Sequence, residues 1–145
     1  MKTLPAVPRL RGDIPSLRQQ LADAKRRMNE ASGIAPGTLT DIQEEDFTVT
    51  AKDGFRIPVR TYKPKNNSAT GGPLIVLYHG GGFCLGDLSS EELNCRNFCR
   101  EFGAVCVNVE YRLGPEYKFP TAIHDSWDVL EWVSRQEDLP FSHRD

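Results

Sequence analysis

The sequence has no long hydrophobic run. Its longest wholly apolar stretch, Leu74 to Tyr78, is far shorter than the roughly 18 residues a membrane span needs, so no membrane partner is expected. It has no excess of basic charge either. Lys and Arg number 18 against 20 Asp and Glu, and a formal net charge of −2 leaves no positive field to hold nucleic acid. Cysteine is sparse, with Cys84, Cys95, Cys99 and Cys106 the only four and no Cys-x-x-Cys pair, which argues against a zinc site. Met1 to Pro15 carries Pro5, Pro8 and Pro15 among mixed charges where an export signal would place its apolar region. The expectation is a cytoplasmic chain with free thiols, in which the sequon Asn66-Asn67-Ser68 is silent. There is no internal repeat and no low-complexity tract. At 145 residues the chain is one ordinary domain or part of one.

What is present reads as an ordered series of elements. Leu17, Leu21, Ala24 and Met28 form one stripe of a helix over Asp13 to Ala31, with Asp13 as its cap, Pro15 in its first turn, and Ser32-Gly33 then Pro36-Gly37 ending it. Ile42 to Thr50 and Phe55 to Thr61 alternate in polarity around Asp53-Gly54, the pattern of an antiparallel hairpin. Lys63 to Pro73 is rich in Pro, Asn and Gly and reads as an exposed loop. Leu74 to Tyr78 and Ala104 to Val109 are apolar almost throughout, as strands covered on both faces are. Between them, Ser89 to Phe102 has a Ser89/Glu92 capping box and apolar positions at Leu93, Phe98 and Phe102. Strand, helix, strand predicts a parallel crossover. A last helix is marked by Ile123, Trp127, Leu130 and Val133, with Thr121 as cap and Asp125, Asp128 and Glu131 on its solvated edge.

Three consecutive glycines, Gly80 to Gly82, follow His79 directly after the first apolar strand. Without a Cβ, such a run reaches positive φ and lets a ligand approach peptide N–H groups closely. Amides aimed at one point would hold the negative oxygen of an acyl-transfer intermediate. A plain turn explains the run equally well. A Walker phosphate loop and a dinucleotide fingerprint do not, because neither Gly-Lys-Ser/Thr nor Gly-x-Gly-x-x-Gly is present.

His79-Gly80-Gly81-Gly82-Phe83 resembles the HGGG motif of α/β-hydrolase lipases and esterases. Tyr111-Arg112-Leu113-Gly114-Pro115-Glu116, then Phe119-Pro120 and Asp125, resembles the YRLAPE…FP…D stretch of the hormone-sensitive-lipase-like carboxylesterases. Gly114 stands where Ala is usual, and Tyr117 where His is frequent. The resemblance implies an α/β fold, the N-terminal half of an α/β-hydrolase: an antiparallel hairpin leading into a parallel sheet with crossover helices, the sheet incomplete. Residues 1–41 would be an N-terminal helix and cap-like segment, and residues 42–145 a partial hydrolase domain. Gly81 and Gly82 would donate the oxyanion bonds, with His79 and Gly80 shaping the loop. Arg112 and Glu116 would tie down the loop after the second strand by charge-assisted hydrogen bonds. The substrate implied is a small-molecule carboxylic ester, with esters of secondary metabolites among the candidates, and no cofactor or metal.

The rest of the catalytic set is missing. A serine esterase of this fold uses a Gly-x-Ser-x-Gly elbow, then an acid, then a histidine. None of the eight serines has that setting. No residue is therefore assigned as catalytic, and the chain alone is expected to be inactive. Cys84 lacks a partner base and reads as a small buried filler; Cys95 and Cys99, four apart, read as packing rather than metal ligands; His124 and His143 match no motif. Two alternatives stand beside the esterase: a non-catalytic small-molecule receptor of the same fold, as in the plant gibberellin receptors, and a fragment that interacts with another chain. In this fold the strand Leu74 to Tyr78 would have one open edge, inviting a complementing chain or self-association.

Overall fold

The Asp13 cap forms as its sequence context predicts. In this computed structural model, which describes residues 11–32, 41–65 and 72–135, Asp13 Oδ1 accepts the Ser16 N–H at 3.0 Å. Those hydrogen bonds from Ser16 hold the Asp13 carboxyl below the usual carboxylate range. The helix it starts, α1 (Ile14–Ser32), belongs to the first of two compact units, Met1–Pro36 and Gly37–Asp145. Along α1, Leu17 is half-buried and Leu21 and Ala24 are exposed, so the expected stripe is not a covered face. The Met28 side chain, the stop signals from Gly33 to Gly37, the sequon and His143 lie outside the described residues.

In the second unit, β1 (Ile42–Thr50) and β2 (Arg56–Pro64) pair antiparallel across a turn at Asp53-Gly54. The Asp53 carboxylate accepts the Phe55 N–H at 3.0 Å, and Gly54 takes φ 87°, which the turn chemistry requires. β2 runs three residues beyond Thr61, into the segment expected to be loop. Pairing of Pro64 with Ile42 and full burial of Tyr62 extend it.

Then come β3 (Leu74–Tyr78), α2 (Glu92–Phe102), β4 (Val105–Val109) and α3 (Thr121–Arg135), with β3 and β4 parallel and the sheet ordered β1-β2-β4-β3. β2 and β4 pair antiparallel, so the sheet is mixed. Period-two alternation sorts its side chains to two cores. Ile57, Val59, Val107 and Val109 meet Val129 and Val133 of α3, whereas Tyr62, Ala104 and Cys106 meet Cys95 and Cys99 of α2.

Several expectations need correction. β4 is buried throughout, but β3 is only half-buried because it is the outer strand of the sheet. The Ser89/Glu92 box does not form. Asp87 instead binds the Ser89 and Ser90 hydroxyls and organises a separate 3₁₀ turn, Leu88–Ser90, after which α2 begins at Glu92. On α2, Leu93 and Phe102 are exposed and the buried face is Cys95 and Cys99, with Phe98 partly covered. On α3, Val133 is buried as expected, but Ile123, Trp127 and Leu130 are 46%, 57% and 41% exposed. The buried face is Ala122, Asp125, Val129 and Val133. Asp125 is fully buried, not solvated, because it is the partner of Arg112; Asp128 is largely covered and accepts the Lys52 N–H at 2.8 Å.

Ion pairs fasten α2 to the hairpin. Arg96, itself buried, grips both Glu44 oxygens at 2.6 and 3.0 Å, and Arg60 bridges Asp46 and Glu92. Among the described residues, no helix is long and apolar enough to cross a membrane.

Candidate active site

The glycine run occupies the loop between the end of β3 and the 3₁₀ turn. Gly81 takes φ 127° and Gly82 φ 62°, both closed to most side chains, and Phe83 joins them at φ 60°. The bend is closed at its base, where the Cys84 and Leu85 N–H groups donate to the Gly81 carbonyl at 3.2 and 3.0 Å. A Cβ on Gly81 would lie 2.2 Å from the Leu85 carbonyl oxygen, so the turn admits only glycine there. At Gly80 and Gly82 the space is open. Gly80, Gly81 and Gly82 are all exposed, and among the described residues neither the Gly81 nor the Gly82 N–H donates to a protein acceptor. Two uncommitted backbone donors on a tightly folded bend can meet an external oxygen anion.

His79 does not face that surface. It is buried, its Nδ1–H donates to the Gly80 carbonyl at 2.9 Å, and its ring stacks on Tyr111 with centroids 4.4 Å apart. The His79 side chain shapes the loop from beneath. The ring is accommodated by Gly86, at φ 102°, where a Cβ would fall 2.1 Å from Nδ1. Tyr111 also donates its hydroxyl to the His79 carbonyl at 2.5 Å, and burial pushes that hydroxyl's pKa up.

The segment after β4 carries the second motif. The Arg112 guanidinium binds both Asp125 oxygens, Nε to Oδ2 at 2.9 Å and Nη2 to Oδ1 at 2.6 Å, while the Arg112 N–H also donates to Oδ2 at 2.9 Å. It reaches Asp53 at 2.7 Å and lies 4.3 Å over the Phe55 ring and 5.3 Å over Tyr117. Tyr117, where the resembling family often has His, thus serves as a cover for Arg112. The Asp53 carboxyl is held below its ordinary range by the Phe55 N–H first and Arg112 second. Glu116 is exposed.

Other candidates stand apart from the loop. Cys84 is half-buried rather than a buried filler, with its Sγ near Gly114. Cys95, Cys99 and Cys106 are buried core thiols. Hydrogen bonding to Cys95 leads in pushing Cys106 up to about 12, and bonding to Cys106 leads in raising Cys99, which makes both poor nucleophiles. His124 is exposed, in a cleft of about 470 Å³ with Ile123, Trp127 and Lys52, away from the glycines. Gly86 and the Tyr111 hydroxyl are what sequence reasoning missed. The signal for Gly86 is a single glycine four residues beyond the run, too common a feature to single out.

A mixed sheet with helices on both faces and a glycine bend leaving an apolar strand define the class: the chain belongs to the α/β-hydrolase fold family, whose profile matches residues 75–144. Within it, the chain is similar to esterases and carboxylic ester hydrolases. It is 34% identical to an ethyl acetate hydrolase of Pseudomonas putida over 116 residues, 79% of this chain and 36% of that protein. Esterase LipI of Mycobacterium tuberculosis is also 34% identical, over 140 residues, covering 92% of this chain and 40% of that one. A solved esterase of Pyrobaculum calidifontis superposes with a TM-score of 0.75 at 32% identity, over 90% of this chain and 41% of its own. The chain thus spans roughly two fifths of these relatives or less.

Proposed function

We propose that the chain supplies the oxyanion-binding part of a carboxylic ester hydrolase. The reading is carried by one observation: Gly81 and Gly82 are exposed residues whose N–H groups are uncommitted among the described residues, on a bend at the end of β3. In the reaction, a serine hydroxyl attacks the ester carbonyl, a histidine takes its proton, and the carbonyl oxygen becomes an anion. Gly81 and Gly82 would stabilise that anion, each donor being worth roughly 2.7 to 4 kcal/mol of barrier. The acyl-serine then reacts with water.

Serine, acid and base are not supplied by a recognisable motif of this chain and would come from polypeptide beyond these 145 residues, on the same or a complementing chain. The P. putida relative's name points to small acyl esters as the substrate class. The N-terminal residues 1–41 would form a cap-like segment, and four free cysteines favour a cytoplasmic setting.

The test uses a p-nitrophenyl ester and a fluorophosphonate probe. The 145-residue chain alone should show neither turnover nor a labelled serine. A chimera that continues it with the C-terminal portion of the P. calidifontis esterase should show both. Serine labelling of the chain alone would overturn the assignment of its role.

A further inference from the structure

The geometry points to Tyr111 as a positioning residue for the glycine loop, acting through the backbone of His79. The inference rests on the oxyanion reading of Gly81 and Gly82. Three glycines in succession have wide conformational freedom, so donors in a fixed direction need an external constraint. The segment after β4 supplies it at both ends of the run. At the near end, the buried Tyr111 hydroxyl donates to the His79 carbonyl at 2.5 Å while its ring stacks on the imidazole at 12°. At the far end, the Gly114 N–H donates to the Phe83 carbonyl at 2.8 Å, and the Phe83 ring meets Tyr111 edge-on at 6.2 Å.

The peptide between His79 and Gly80 is planar, so fixing its carbonyl fixes the direction of the Gly80 N–H and the start of the run. Tyr111 is itself held rigidly. Its neighbour Arg112 is locked to the fully buried Asp125 through both backbone and side chain. A hydroxyl on so fixed a support sets the loop and is not set by it.

The experiment is amide hydrogen exchange on the 145-residue chain, comparing wild type, Tyr111→Phe and Tyr111→Leu. Cys84 and Leu85, whose N–H groups bond the Gly81 carbonyl, report the bend, and Val107 in β4 reports the sheet. Tyr111→Phe keeps the ring and removes one hydrogen bond; exchange at Cys84 and Leu85 should rise about tenfold while Val107 keeps its rate. Tyr111→Leu should raise it further. Unchanged rates at Cys84 and Leu85, or equal acceleration at Val107, would overturn the proposal. Should the variants not fold, 3-fluorotyrosine at position 111, a stronger donor, should slow the same two amides, and an unchanged rate again overturns it.

A parallel acetate titration, read by the Gly81 and Gly82 amide shifts, separates the two readings. Acetate should move both shifts in wild type and bind about tenfold more weakly to Tyr111→Phe. If it moves neither in wild type, the oxyanion reading fails, and the exchange data still decide on Tyr111.

Discussion

Gly86 shows how much one missing methyl group can settle. Its φ of 102° and the imidazole packed on its Cα both forbid a side chain, whereas Gly54, at φ 87° in the hairpin turn, has nothing within 4 Å of a would-be Cβ. Gly54→Ala should cost only backbone strain, about 1 kcal/mol, and Gly86→Ala should cost clearly more, about 3 kcal/mol, and displace His79. Urea denaturation and the His79 ring shifts check both. Glu110 offers a prediction in pH. Burial first, then the nearby Asp87, raises its carboxyl above the usual range, while His79, the Leu88 N–H and Arg60 oppose the shift. A raised folded pKa gives stability that is fully present below the unfolded value, near 4.3, and lost as pH rises through the folded one. Glu110→Gln should therefore flatten the change in urea midpoint between pH 4.5 and 7. The run at Gly80 to Gly82 is legible in sequence because repetition is itself a signal. The contacts of Glu110 come from segments far along the chain, and the His79 ring reaches Gly86 only through the fold of the bend, neither of which local pattern reveals.

Among the elements, α3 is the one whose type was readable and whose face was not. Its apolar residues point to Ile123, Trp127 and Leu130, yet the helix packs through Ala122, Asp125 and Val129, because the Asp125 position is set by Arg112. Hydrophobic periodicity has no means of scoring a buried carboxylate whose partner lies thirteen residues upstream. The same blindness applies to α2, where small thiols fill the space over Tyr62 and Cys106 while larger Leu93 and Phe102 lie outside. The hairpin, by contrast, is legible in β1 and in its turn, since alternation and Asp53-Gly54 mark them, while β2 runs three residues past its alternating stretch. If Asp125 anchors α3 to the segment after β4, Asp125→Ala should strand a largely buried guanidinium and cost about 3 to 5 kcal/mol in chemical denaturation. Asp125→Asn, which keeps an acceptor, should cost less.

For the whole molecule, the decisive feature is that β3, among the described residues, is the outer strand of the sheet. Ile123, Trp127 and Leu130 of α3, and Leu93 and Phe102 of α2, are uncovered apolar residues on the two helical layers, and β3 itself carries no charge. Edges without charge or proline pair readily with other chains. The isolated chain should therefore self-associate as its concentration rises into the micromolar range, measured by sedimentation velocity, and Ile123→Glu with Trp127→Glu should lessen it. A sharp, cooperative melt of a strict monomer would count against this. The family was legible because its two motifs are rich in glycine and charge, an unusual local composition even though His79, Tyr111 and Asp125 are buried. The sheet order has a consequence in time as well as in space. β4, which follows β3 in the chain, lies between β2 and β3, so a ribosome making these described strands first frees a hairpin able to close and then a greasy strand with nowhere to dock. Until Val105 to Val109 emerges, Leu74 to Tyr78 must wait unpaired, and that interval is when a nascent chain most needs a chaperone.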